Sequence, residues 1–188
     1  MLPELLIPKI GAGDQTALRQ LYTLFETKVY NTALAYLQDV PDAEEATQDV
    51  FIEVYHSAAK FEGRSSVSTW IYRITINKCV DRIRHKNRKK RFAFVSSLSN
   101  TIAEPVSFDH PGVQADNREK ARYLFAAINQ LPENQQTAFI LKQVEGLPQK
   151  DVATIMDLNE KAVESLIQRA KQNLRKTLQE FYNETKGK

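Results

Sequence analysis

The apolar residues of this chain recur at three- and four-residue intervals, which is the spacing of one helix face and not the alternation of a strand. A first helix is predicted to begin near Asp14, because an apolar face follows it: Leu18, Leu21, Tyr22, Phe25 and Val29. The segment "DVPD" (39–42) interrupts this pattern, and Asp42 is the expected N-cap of a second helix. The apolar stripe of that helix comprises Ala46, Val50, Val54 and Ala58.

A third helix is predicted to run from Ser66 or Val67 to Lys86, after a loop that contains Gly63. Its apolar residues lie on two sides: Trp70, Ile71 and Ile74 on one, and Ile76, Val80 and Ile83 on the other. Between these sides lies a polar strip, formed by Arg73, Asn77, Asp81 and Arg84. A helix that is packed from two sides holds such a strip in a fixed orientation.

Residues 93–116 contain no Lys or Arg, two prolines and no sustained helical period. A loop of this length is unusual inside one compact domain. The chain is therefore predicted to be all-α, with two small helical domains, 1–92 and 117–188, joined by a flexible linker over 93–116.

The second domain is predicted to contain a helix-turn-helix. A short helix beginning near Pro148 is followed by a turn at "DLN" (157–159) and by a longer helix with basic residues on its outer face. This is the pattern of a DNA-binding motif, although many helical hairpins in ordinary bundles share it.

Composition is that of an ordinary globular protein: 42% of the 188 residues are hydrophobic and 26% are charged, which excludes a wholly disordered chain. The single cysteine, Cys79, cannot form an internal disulfide, and the N-terminal segment lacks the features of a signal peptide. No apolar run is long enough to cross a membrane. The expected location is the reducing cytoplasm, without membrane insertion.

The net charge is only +3, but it is distributed unevenly. Residues 31–55 contain six acids and no Lys or Arg, whereas residues 73–91 contain nine Lys or Arg and one acid, Asp81. Two such blocks predict two partner surfaces, one for a basic protein and one for nucleic acid. Two solvated helix faces would give the same pattern.

Two segments carry a resemblance to a known family. The segment "DAEEATQDVFIEVYHSAAKFEGRSSVSTWIYRITINKCVDRIR" (42–84) resembles the second conserved region of bacterial RNA polymerase sigma factors, in particular the extracytoplasmic-function type of the sigma-70 family. The segment "LPENQQTAFILKQVEGLPQKDVATIMDLNEKAVESLIQRAKQNLRK" (131–176) is similar to their fourth region. The resemblance implies a protein that binds core RNA polymerase, directs it to promoters and helps to melt the minus-ten element.

The resemblance implies the following partners: core polymerase, through its beta-prime clamp helices and its beta flap; promoter DNA, both double-stranded and melted; and an anti-sigma factor. The family's clamp-helix contact falls on Glu45, Gln48 and Asp49. Two of these belong to an acidic stripe on the second helix, so the implied polymerase-binding residues are Asp42, Glu45, Gln48, Asp49 and Glu53.

The family's minus-ten contact falls on the loop before the third helix and on that helix itself. Extruding a base from the duplex costs about a few kcal/mol, which a polar pocket and nearby cations can offset. The implied contacts are Arg64, Ser65, Ser66, Thr69, Trp70, Arg73, Asn77, Lys78, Arg82 and Arg84. Hydroxyls suit base edges, and Arg and Lys suit phosphates. Trp70 has two interpretations: it stacks on a base, or it anchors the helix in the core.

The implied minus-thirty-five contacts lie in the second domain: Lys150, Asn159, Lys161, Glu164, Ser165, Gln168, Arg169 and Lys171. The family's usual run near Thr-Val-Lys-Ser-Arg is replaced by "AVESL" (162–166), and the Gly that usually precedes the turn is Asp157. Glu164 suits a cytosine amino group as an acceptor, or it repels DNA.

Three alternatives remain open at this point. The first is a sigma-like regulator or decoy that binds polymerase but reads promoters weakly, which the "AVESL" run favours. The second is a dimeric helix-turn-helix regulator, which would leave the acidic stripe unexplained. The third, an enzyme, is the weakest, since no phosphate loop, metal-ligand spacing or nucleophile motif occurs, and no cofactor or metal is expected.

Overall fold

The computed structural model describes residues 2–96 and 118–186. The chain divides into two compact units, Met1–Thr101 and Ile102–Lys188. Within the described ranges both units are built from helices and contain no strand, so the predicted all-α class with two helical domains is confirmed. Most of the predicted linker lies outside the described residues.

The first unit is a bundle of three long helices with a short helical segment before them. Its elements are a 3₁₀ turn Pro3–Leu5, α1 (Ile7–Gly11), α2 (Gln15–Leu37), α3 (Val40–Ser57), a 3₁₀ turn Ala58–Lys60 and α4 (Val67–Ser96). Helices α2, α3 and α4 pack against one another in pairs. Apolar stripes from all three meet in one core, in which Leu21, Val50 and Ile71 are at most 1% exposed.

Aspartates cap both α2 and α3, but at α3 the structure differs from the expected start. Helix α2 begins next to Asp14, as predicted, and Asp14 caps it by accepting from the backbone N–H groups of Thr16 (2.8 Å) and Ala17 (3.1 Å). Asp39, not Asp42, caps α3, because its side chain accepts from the Asp42 N–H at 2.9 Å. The prediction of Asp42 as N-cap was wrong, since a proline in the first helical turn loses no hydrogen bond and the helix starts before it.

Helix α1 was not foreseen from the sequence. Leu6, Ile7 and Ile10 are at most 2% exposed and belong to the core cluster of the first unit. Gly11 lies so close to the Ala58–Lys60 turn that a Cβ there would stand 3.0 Å from Ala59 Cα. The segment is therefore part of the folded core. Its sequence signal was a short apolar run, Leu5 to Ile7, between Pro3 and Pro8 and shortly before Gly11.

Helix α4 is held from two sides, as its two apolar faces predicted, and packs against both α2 and α3. It runs to Ser96, past the expected end at Lys86, so the first residues of the predicted linker are helical. Cys79, inside this helix, is 0% exposed. Burial raises the pKa of its thiol to about 12, against a smaller opposing effect of Arg82.

The second unit consists of α5 (Arg118–Asn129), α6 (Glu133–Phe139) with a π-helical continuation Ile140–Val144, α7 (Gln149–Met156) and α8 (Glu160–Lys186). Helix α8 packs against α5, α6 and α7. Ile128, Ile140 and Val163 are 0% exposed at the centre of this unit. The predicted helix-turn-helix corresponds to α7 and α8.

Candidate nucleic-acid and partner-binding surfaces

The acidic stripe of α3 faces the basic part of α4. Lys78 Nζ lies 2.9 Å from Glu53 Oε2, and the two terminal nitrogens of Arg82 lie 2.6 Å from Glu45 Oε2 and 3.1 Å from Asp49 Oδ2. Asp42 completes the row: its Oδ1 lies 3.6 Å from Arg82, and its Oδ2 pairs with Lys86. This set is the ion-pair ladder, and its members are Asp42, Glu45, Asp49, Glu53, Lys78, Arg82 and Lys86.

The pKa values of two ladder members reflect these contacts. The hydrogen bond from Lys78, and then its charge, lower the pKa of Glu53. Burial by itself would lower the pKa of Arg82, but its hydrogen bonds to Glu45 and Asp49 and their charges outweigh that effect and raise it. Because the ladder lies at the surface, each simple pair adds about 0–1 kcal/mol to stability.

The ladder changes the meaning of the two charge blocks. From the sequence, the acidic stripe had no cation nearby, and Lys78 and Arg82 were expected to contact DNA phosphates. In the folded chain, these cations of the basic block neutralise carboxylates of the acidic block. Sequence spacing alone could not show this, because the pairs join positions 25–44 residues apart.

Gln48 lies outside the ladder and lines a groove of about 510 Å³ between α2 and α3. The walls are largely apolar, and the rings of Tyr22 and Phe51 meet at 4.6 Å between centroids. Ile52, one helical turn after Gln48, is 56% exposed there. This groove was not predicted from the sequence, although an isoleucine off the apolar stripe of α3 was an available signal.

The loop before α4 turns at Gly63. Gly63 has φ +68°, a left-handed conformation that L-residues seldom adopt. Arg64 is exposed and pairs with Glu62 at 2.5 Å, and Ser65 is half-buried. The loop therefore presents polar side chains on a turn that glycine makes possible.

Ser66 and Thr69 form the N-terminal cap of α4. Ser66 Oγ accepts from the Thr69 backbone N–H at 3.1 Å and lies 2.8 Å from Thr69 Oγ1. Thr69 is only 4% exposed, so the structure uses its hydroxyl within the cap. Ser66 itself is exposed.

Trp70 has the core contact of one of the two interpretations that the sequence left open, and its stacking on a base stays a prediction. It packs against the core cluster and tilts over the Phe61 ring at 4.8 Å, yet it is only partly buried. Arg73, Asn77 and Arg84 are exposed, and helical periodicity places them on a different face of α4 from the ladder. The site residues of α4 thus divide into one set that faces α3 and another that faces solvent.

The turn between α7 and α8 has the geometry of a helix-turn-helix. Asp157 adopts the left-handed conformation (φ 55°, ψ 45°), and the Leu158 N–H donates to the Ala153 carbonyl at 2.9 Å. Asn159 caps α8, because its Oδ1 accepts from the Ala162 N–H at 2.8 Å. Gln149 Nε2 donates to the Glu160 carbonyl at 2.8 Å and ties the two helices together.

The exposed face of α8 carries most of the residues predicted to read DNA: Lys161, Glu164, Ser165, Gln168 and Arg169. Lys171 is half-buried, Lys150 at the start of α7 is exposed, and Ser165 Oγ donates to the Lys161 carbonyl at 3.0 Å. Leu166, where the family's run ends in a cation, is also half-buried.

In the ranges that the structure describes, no three His, Cys, Asp or Glu side chains are grouped so that they could hold a metal ion. Among the helices of those ranges, none combines the length and the apolar character needed to cross a membrane.

Two family models match the chain in the order in which its units occur: Sigma-70 region 2 over residues 21–89, and Sigma-70, region 4 over residues 121–174. Among curated relatives, the RNA polymerase sigma-H factor of Pseudomonas aeruginosa is 29% identical over 95% of each chain. The sigma factor SigW of Bacillus subtilis, of the extracytoplasmic-function (ECF) type, is 27% identical over 93% of this chain and 96% of its own.

Solved structures share the fold. The sigma factor RpoE of Bartonella quintana, in complex with the anti-sigma factor NepR, matches with a TM-score of 0.64 at 20% identity, over 86% of this chain and 96% of its own. CnrH, in complex with the cytosolic domain of CnrY, matches with a TM-score of 0.66 at 22% identity, over 93% and 96%. With both conserved regions present in order, the chain belongs to the sigma-70 family of RNA polymerase sigma factors and to its extracytoplasmic-function type.

Proposed function

We propose that this chain binds core RNA polymerase, directs it to specific promoters and helps to melt the minus-ten element. The observation that carries the proposal is the division of α4. One face pairs with the carboxylates of α3, while another face exposes Arg73, Asn77 and Arg84, and the polar loop around Gly63 precedes the helix. A protein contact and a nucleic-acid contact can therefore be made from one rigid helix pair.

The proposed polymerase contact lies on α3. Glu45 and Asp49 keep side-chain exposures of 66% and 50% while they are paired with Arg82, and Gln48 lies beside them at the groove. These side chains would meet a basic surface on the clamp helices of the beta-prime subunit. The second unit would contact the beta flap.

The proposed minus-ten contact uses the loop around Gly63 and the exposed face of α4. A flipped base would lie against Ser65, Ser66 and the open side of Trp70, and the cations of the exposed face would neutralise phosphates. Thr69 would act indirectly, through the cap that it forms with Ser66. We assign residues 1–92 to this domain, 93–116 to the linker and 117–188 to the domain that reads the minus-thirty-five element.

Minus-thirty-five readout would come from the exposed face of α8 in the major groove. Glu164 would accept from a cytosine amino group, and Lys161 and Arg169 would contact phosphates. The chain would carry no catalytic step, and its polymerase partner would place it in the cytoplasm. An anti-sigma factor is a proposed further partner, since two structural relatives are seen bound to NepR and to the cytosolic domain of CnrY.

Transcription in vitro tests the function directly, with core polymerase and fragmented DNA of the source genome, with and without this chain. New discrete start sites are expected, and the sequences upstream of them would reveal what Glu164 reads. Tight polymerase binding without new starts would favour the decoy, with the altered run 162–166 as its reason.

Two charge variants test the division of roles. Asp49→Arg is expected to weaken binding to core polymerase, whereas Arg73→Ala is expected to leave that binding intact and to lower open-complex formation. Glu44→Arg is the matched control, because Glu44 is an exposed acid of α3 outside the ladder. Equal polymerase affinity for wild type and Asp49→Arg would contradict the assignment of the acidic stripe.

A further inference from the structure

Arg82 joins two carboxylates with one planar group. One terminal nitrogen contacts Glu45 and the other contacts Asp49, residues one helical turn apart on α3, while Asp42 lies 3.6 Å from the first of these nitrogens. The guanidinium is suited to this because its donors diverge in a fixed plane, whereas an ammonium group is a single point charge. The contact therefore fixes the orientation of both carboxylates relative to α4.

The Arg82 side chain is more buried than the two carboxylates that it contacts. The Arg82 side chain is 21% exposed, against 66% for Glu45 and 50% for Asp49. Each carboxylate meets Arg82 through one oxygen, and a carboxylate has capacity for further donors. A protein that approaches this surface would meet the acids first, already oriented.

Neighbouring carboxylates on one helix face repel each other. Asp42, Glu45 and Asp49 are such neighbours, and Arg82 lies among all three. Without it, the acids would turn away from one another into solvent, and a partner would have to order them on binding.

A phosphate contact by Arg82 would require two charge-assisted hydrogen bonds to be broken first. Arg84, two positions further along α4, points about 200° around the helix axis from Arg82 and is exposed. The two arginines therefore face different surroundings although they are almost adjacent in sequence.

We propose that Arg82 is a positioning residue of the polymerase-binding surface, which holds Glu45 and Asp49 for the partner, and that it does not contact promoter DNA. The inference rests on the proposed function, because it presupposes that the acids of α3 meet polymerase. It reverses the expectation, drawn from the resemblance, that Arg82 neutralises a phosphate.

The test compares Arg82→Ala with Arg84→Ala in two titrations of the full chain. The first measures affinity for core polymerase, and the second measures the affinity of the assembled holoenzyme for a single-stranded oligonucleotide that carries the minus-ten sequence. Arg82→Ala is expected to weaken polymerase binding by about tenfold, as for the loss of a charge-assisted contact, and to leave oligonucleotide binding unchanged. Arg84→Ala is expected to do the reverse, and Arg82→Lys to restore only part of the polymerase affinity.

A double-mutant cycle separates positioning from direct contact. If Arg82 acts through the acids, Arg82→Ala should have less effect on polymerase affinity in a Glu45→Gln, Asp49→Asn background than in the wild type. Full additivity, or a loss of oligonucleotide binding by Arg82→Ala, would overturn the inference. If the neutralised acids themselves leave polymerase affinity unchanged, then the proposed α3 contact fails as well, so the two failures are distinguishable.

Discussion

Lys78 of α4 donates to Glu53 of α3 at 2.9 Å, across 25 residues of sequence. The pair forms the end of the ladder nearest the C-terminus of α3. From the sequence, Glu53 was expected to contact polymerase and Lys78 to contact DNA. Because the two residues pair within the chain, the contribution of this pair to stability can be measured without polymerase or DNA.

We expect the Lys78–Glu53 pair to make stability depend on pH in a defined direction. Lys78 lowers the pKa of Glu53 in the folded chain, so its contribution is complete above the unfolded-state pKa of about 4.3 and is lost as the pH falls through the lower folded-state value. Urea unfolding followed by the fluorescence of Trp70, the single tryptophan, should show wild type more stable than Glu53→Gln near neutral pH. The difference should disappear in acid. Glu44→Gln provides the control, and a difference that persists in strong acid would contradict the pairing.

The Ser66 cap can be separated from a role of Ser66 at DNA. Ser66→Ala removes the acceptor for the Thr69 N–H and should lower the free energy of unfolding by about 1 kcal/mol. Ser66→Asp keeps a good cap and so should retain that stability, but it places a negative charge where a nucleotide would lie. We therefore expect Ser66→Asp, unlike Ser66→Ala, to be as stable as wild type and yet to bind the minus-ten oligonucleotide more weakly than wild type. Normal binding by Ser66→Asp would remove Ser66 from the DNA site.

The conformation of Gly63 predicts a backbone effect without a steric clash. A Cβ at this position would meet no atom within 4 Å, so the cost of Gly63→Ala comes from the φ of +68° alone and should be about 1–2 kcal/mol. Gly63→Asn should cost less, because asparagine tolerates this region better. The Trp70 transition in urea measures both variants, and equal stability of Gly63→Ala and wild type would show that the loop adopts another conformation.

Asp157 offers the opposite case, a residue that glycine should improve. It occupies the left-handed region at the end of α7, so Asp157→Gly should stabilise the second unit by up to about 1 kcal/mol and Asp157→Val should destabilise it. Far-ultraviolet circular dichroism during unfolding measures the change, with the fluorescence of Trp70 as the reference for the first unit. A loss of stability in Asp157→Gly would mean that the carboxylate has a role at the turn beyond its backbone geometry.

Periodicity was sufficient to predict the main helices, the two-sided packing of α4 and the helix-turn-helix. It could not predict contacts between helices. Arg82 and Asp49 are separated by 33 residues, and which carboxylate meets which cation depends on how α3 and α4 are rotated against each other. Each charge block was therefore interpreted as a binding surface for another molecule, although several of its charges pair with the other block within the same chain.

Local signals failed where two interpretations fitted the same residues. Asp39 and Asp42 are both good N-caps, and only the position of the first helical turn decides between them. Thr69 offered a hydroxyl for a base edge, but its position one turn into α4 buries it beneath the cap. Helix α1 was too short for a period to be visible and becomes evident only through the burial of Ile7 and Ile10.

The enclosure of Cys79 has a practical consequence for spectroscopy. Cys79 is the single cysteine of the chain, it is 0% exposed, and burial raises the pKa of its thiol to about 12. Thiolates, not thiols, react with maleimides and iodoacetamides, so the native protein carries almost no background for such reagents. A cysteine introduced at exposed Gln48 of α3 or exposed Arg175 of α8 would accept a fluorophore selectively, and either unit could then be followed during promoter opening without replacement of any native residue in the core.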